Sequence, residues 1–208
     1  RNIIINRRIV CFMPTTLRLT GTGVNAAGGE LGCSTPSAEV RFPPVEPLQP
    51  PDSMHLTAAQ GWLELGNHEE AFEELEQMDA PLRGHPDVLE VRWGIYASIE
   101  KWDYCLEIGS AMVRLDPARF TGWINRSFAL HCLKRTKEAY EQLKEGLRRH
   151  DEEELIWYNL ACYACVLGKK FEARRRLAKA IDLGGDGVKT RALDDPDFEA
   201  LWRAGEKK

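Results

Sequence analysis

The chain has 208 residues, with 28 Lys and Arg against 32 Asp and Glu, six Cys, six Trp and 43% hydrophobic residues. That length suits one medium domain, with or without a tail, and leaves room for a sizeable core. A net charge of −4 and a pI near 5.8 exclude nucleic acid as the main partner, because phosphate binding needs a basic surface. No run of 18 apolar residues occurs, so no membrane-spanning helix and no membrane partner are expected. Six scattered cysteines make no disulfide framework and point to a reducing cytoplasm.

Residues 1–52 read as a disordered leader rich in Pro, Gly and Thr. The first 53 residues hold seven of the eleven prolines and no Trp, Tyr or Lys. Ile3-Ile4-Ile5 is cut off by Asn6-Arg7-Arg8 and is too broken for the apolar core of a secretion signal. The strip Phe42 to Pro51 should be extended and polyproline-like. A segment so poor in large apolar side chains cannot offset its own ordering entropy. The chain starts at Arg1, and Met13 and Met54 are candidate initiators.

From residue 53 the sequence repeats. Ala71, Cys105, Ala139 and Ala173 stand 34 residues apart, each small, and each is preceded six residues earlier by Leu65, Ile99, Leu133 or Leu167. Short polar turns lie between, and amphipathic stretches of helical period flank each turn. Asn67 with Glu70 resembles a capping box, and Pro117 ends the second repeat. Small residues are needed where two antiparallel helices cross closely. A single hairpin cannot bury both faces, so the repeats must stack.

These residues resemble the tetratricopeptide repeat (TPR) pattern W-x₂-L-G-x₂-Y, then Ala, then a large residue, then Pro. Trp123 and Trp157 fill its Trp position, Leu160 its Leu, Tyr96 its Tyr and Pro117 its Pro. Arg92 and Arg126 depart from it at Leu, Trp93 at Gly, and Gly109 at the large residue. The resemblance implies an all-α, right-handed solenoid of four helix-turn-helix repeats over 53–187, with a capping helix within 188–208. Asp195 and Pro196 should open that helix, laying Phe198 and Trp202 on the second helix of repeat four. Similar Asp-Pro-Asp-aromatic endings follow repeat arrays in bacterial TPR proteins, which suggests a bacterial source.

Cys162-Tyr163-Ala164-Cys165 is the candidate chemical motif. With His131 and Cys132 one period earlier, Cys162 and Cys165 could meet as four metal ligands across two adjacent helices, or exchange electrons as a dithiol. The plainer reading is helix packing, since a buried free Cys behaves as a small hydrophobe. No phosphate loop or hydrolase constellation occurs, so no catalytic residue and no cofactor are assigned and the chain does not read as an enzyme.

The TPR resemblance implies a concave groove lined by the first helices, where a protein or peptide binds. Its candidate residues include Leu56, Gln60, Glu90, Ile124, Asn125, Phe128, His131, Tyr158, Asn159 and Cys162. Asn125 and Asn159 are equivalent, and two amides could grip an extended backbone. The relatives that clamp a terminal carboxylate carry basic residues where this chain has Leu56 and Thr121, so that clamp is not implied. Net charge runs from −7 in residues 52–85 through −2 and +1 to +2 in 154–187, which could favour head-to-tail self-association. The leading reading is a non-catalytic protein- or peptide-binding scaffold. The alternatives are a metal or redox protein on the same frame and a substrate-binding subunit of a separate enzyme.

Overall fold

The 34-residue pattern becomes helix in register. A computed structural model describes residues 45–202, and the expected leader before Val45 lies outside the described residues. First helices span Asp52–Glu64 (α1), Pro86–Ser98 (α3), Phe120–Cys132 (α5) and Glu154–Val166 (α7). Second helices span His68–Gln77 (α2), Trp102–Leu115 (α4), Thr136–Leu147 (α6) and Lys170–Asp194 (α8). Both sets begin at intervals of one period. A 3₁₀ turn Pro196–Phe198 and a last helix Glu199–Trp202 (α9) follow. Among the described residues there is no strand.

Each hairpin turns on one left-handed residue: Gly66, Glu100, Lys134 and Gly168, with φ between 57° and 79°. The next residue's N–H reaches back to the first helix, from Asn67 to the Trp62 carbonyl and from Arg135 to Leu130, each at 2.9 Å. This is the Schellman closure, which favours Gly at the left-handed position. The expected capping box at Asn67 does not form, for the Asn67 side chain caps nothing. With only three residues between the helices, its N–H closes α1 and its carbonyl opens α2 by accepting from Ala71.

The four small residues at the helix crossing, Ala71, Cys105, Ala139 and Ala173, are fully buried. Gly109 now has a reason. A Cβ there would lie 2.7 Å from the Arg126 backbone nitrogen, so α4 and α5 touch backbone to backbone and no large residue fits. Trp123 and Trp157 make the same bond one period apart. Their indole N–H groups donate to the carbonyls of Pro117 (3.0 Å) and Asp151 (2.7 Å). Trp93, where the pattern has Gly, is buried against Phe128 with ring centroids 6.3 Å apart.

Successive first helices touch one another directly, α1 with α3, α3 with α5 and α5 with α7, while successive second helices do so less. The tighter side of the stack is therefore the first-helix side, which makes it concave. At its end, α8 breaks at Gly185, whose φ of 69° and ψ of −157° only glycine adopts readily. The segment beyond the break buries Val188 and Ala192 and returns beside α7, where Arg191 pairs with Glu154 at 3.0 Å.

Candidate functional site

The concave residues of repeats three and four are covered by the chain's own ending. Asp195 caps the 3₁₀ turn by accepting from the Asp197 N–H at 2.9 Å. That cap aims the two carboxylates at first-helix side chains. Tyr158 Oη donates to Asp195 Oδ2 at 2.8 Å, Cys162 Sγ lies 3.7 Å from the same oxygen, and His131 Nε2 lies 3.2 Å from Asp197 Oδ2. Phe198 is fully buried edge-on to Tyr158, with centroids 5.4 Å apart. Behind His131, its Nδ1 meets Thr136 Oγ1 at 3.0 Å and its ring lies 5.1 Å from Tyr163.

This corrects the expected seat of the cap. Phe198 packs on α7, the first helix of repeat four, and not on its second helix. Trp202 is 41% exposed, and its indole N–H donates to the Ala192 carbonyl at 3.2 Å. The break at Gly185 is the cause, because it sends the chain back along α7.

The paired asparagines also differ from expectation. Asn159 has no exposed surface, and its Nδ2 donates to the Leu155 carbonyl one turn back at 2.7 Å. Its Oδ1 is buried without a partner. Asn125 is buried too, and its Nδ2 is turned toward Met112 Sδ at 3.9 Å. Both sit on the inter-helix side of their helices, so Asn159 offers no amide to a groove ligand. Ile124 is buried, and Phe128 packs between Trp93 and Trp102. Gln60 is half-buried on α1, whereas Leu56 belongs to the core of repeats one and two.

Cys162 and Cys165 are both buried on α7, and Cys132 lies on α5. Burial, reinforced by Asp195 and Asp197, pushes the Cys162 thiol well above its usual range, and burial also raises Cys165. A thiol so held is a poor thiolate, hence a poor metal ligand or nucleophile. Among the described residues, no three His, Cys, Asp or Glu converge to hold an ion. His131 is turned to Asp197 and Thr136, and Cys162 to Asp195, so two of the four expected ligands face partners within the chain.

A charged cluster that sequence reasoning largely passed over lies between repeats two and three. Arg119, just ahead of α5, pairs with Asp87, with Glu90 at 3.5 Å and with Asp116 at 3.6 Å. Thr121 Oγ1 is 3.4 Å from Glu90. Burial raises the Glu90 carboxyl above the usual carboxylate range, and the Arg119 charge opposes that shift. Glu90 was readable as a groove position, but its partner lies nearly a full repeat away in sequence and only stacking brings it near.

Solved structures agree with this architecture. The chain is similar to TTC0263, a thermophilic TPR protein in Thermus thermophilus, with a TM-score of 0.62 and 19% identity over 74% of this chain and 82% of that one. It is also similar to MamA 41-end from Desulfovibrio magneticus RS-1, with a TM-score of 0.56 and 17% identity over 75% and 97%. No family model matches the chain. No curated protein matches it either. The fold is that of the TPR solenoids. Among the described residues no helix is long and apolar enough to cross a membrane.

Proposed function

We propose that this TPR array is a non-catalytic scaffold that binds a protein or peptide segment along the concave faces of α1, α3 and α5. Gln60, Glu90, Thr121 and His131 are its nearest polar groups, with Ile124, Phe128 and Asn125 behind them. One observation carries this reading. The chain's own segment 195–202 already lies on first-helix residues, held by Tyr158, His131 and the apolar seat of Phe198. A first-helix surface that already takes one short segment of chain has room in its fold to take another. The titratable groups of this face are ion-paired or held protonated by burial, which supports binding over catalysis. The excess carboxylate around Arg119 favours a partner segment that brings a Lys or Arg to Glu90. The compartment we assign is the cytoplasm, and the four described cysteines are free thiols.

A photo-cross-linking residue placed at 60 or 90, and as a control at half-exposed position 144 on α6, tests this in lysate of the source organism. The same partner should be captured from 60 and 90 and not from 144. Glu90→Ala should weaken it by about tenfold. Capture from 144 alone places the partner on the convex face and overturns the groove reading.

A further inference from the structure

The two ends of the array carry surfaces that match each other. Between α2 and α3 lies a cavity of about 330 Å³ with Phe72, Ile95, Tyr96 and Ile99 in its lining and Glu69 and Glu73 at its edge. Its aromatic wall is braced, since Tyr96 meets Phe72 edge-on at 6.4 Å and stacks on Tyr104 at 4.9 Å. The repeat that contributes Glu69 and Glu73 has a net charge of −7. Three periods on, the position of Glu69 is taken by Phe171, which is 83% exposed, more than any other large apolar side chain described. Lys170, Arg174 and Arg175 surround it, and Phe171, Arg174 and Arg175 fall at i, i+3 and i+4 on the outer face of α8. One end thus has an apolar cavity edged by carboxylates. The other has an exposed ring among cations.

We propose that copies of this chain associate head to tail, Phe171 of one protomer entering the Phe72–Tyr96 cavity of the next while Arg174 and Arg175 face Glu69 and Glu73. The two patches cannot meet within one chain, because α4 and α6 stand between α2 and α8 in the stack. The contact is therefore heterologous, and each added protomer leaves one patch of each kind free. It uses Tyr96 and Ile99 at the C-terminal end of α3 and none of Gln60, Glu90, Thr121 or His131, so its variants leave the polar groups of the groove in place. Its area is that of one aromatic side chain and a few ion pairs, well below a standard interface, so it is weak and salt-sensitive.

Sedimentation of the full chain from about 10 μM to about 1 mM, the range where small interfaces assemble, is the test. The mass should rise with concentration at low salt, and association should weaken about tenfold or more in high salt. Phe171→Ala should be monomeric, and so should the double variant Glu69→Lys, Glu73→Lys. All three positions are exposed, so melting curves should match the parent. Mixed in equal amounts, the two variants should form a one-to-one complex and nothing larger, because one keeps the cavity and the other keeps the ring. A parent chain that stays monomeric, a mixture that does not pair, or variants that assemble like the parent would each overturn the proposal.

Discussion

Repeats one and four begin their helices three periods apart and share the same turn, with Gly66 and Gly168 both left-handed. Their surroundings differ. Repeat one is strongly acidic and exposes Trp62 and Leu65. Repeat four is basic on α8 and has its first helix roofed by 195–202, so that Tyr158 through Cys165 are all buried. The comparison shows that a repeat's period fixes its backbone and its helix-crossing residues, whereas its surface is set by the segment that comes after it. Gly185 is the point of divergence, because it lets the chain fold back where earlier repeats run on through Asp116 and Pro117 or Arg148 to Asp151.

The difference between the two ends of the array depends most on the roof over α7. Phe198→Ala should cost about 3–5 kcal/mol, the usual loss for a fully buried aromatic. Hydrogen exchange should then rise in α7 and α8 while α1 and α2 keep their protection, because solenoid repeats couple only to neighbours. Trp202→Ala, at a half-exposed site, should cost clearly less in the same urea melts. Equal losses would mean that the roof acts as one rigid body.

Gly185→Ala should cost about 1–3 kcal/mol, since its backbone conformation is foreign to residues with a Cβ. The matching change at Gly187, which has open space and no positive φ, should be close to neutral. Thermal melts of the two variants separate strain at the break from a general loss of glycine.

A third contrast lies between repeat two and its neighbours. Cys105 stands where the others have Ala, and burial, with Cys132 nearby, pushes its thiol up to about 12 from a usual value of 9.0. The folded state therefore keeps a proton that the unfolded chain loses first. Stability from this group is complete below pH 9 and is lost as pH rises from about 9 toward 12. By about pH 10 the loss should reach about 1.4 kcal/mol. Cys105→Ala should remove that part of the alkaline loss, read as unfolding free energy from urea melts across about pH 8 to 10.

The smallest effect concerns the turns of the middle repeats. Glu100 and Lys134 hold the left-handed position that Gly66 and Gly168 hold at the ends. Glu100→Gly and Lys134→Gly should each stabilise the chain by about 1 kcal/mol, because glycine carries no Cβ penalty there. Denaturant midpoints that fall instead would show that these side chains contribute more than their backbone strain costs.

Much of this molecule was legible in 34-residue spacing alone. A small residue every 34 positions, an aliphatic one six places earlier and polar turns between them dictate antiparallel hairpins that must stack. The helix starts and the burial of Ala71, Cys105, Ala139 and Ala173 are consequences of that spacing. Asp195 as a cap was legible too, because Asp followed by Pro is a local signal. Spacing could not tell which way a side chain on a first helix faces once both neighbours are in place. Asn125 and Asn159 are equivalent in sequence, but whether an amide meets solvent or the next helix depends on the rotation of the whole stack. Tertiary packing turned them inward, placed Arg119 beside Glu90, and laid Phe198 on Tyr158. Local periodicity sets helices because the hydrogen bonds of a helix are local. The concave surface is assembled from residues a full repeat apart, and only the stacked structure decides which of them meet.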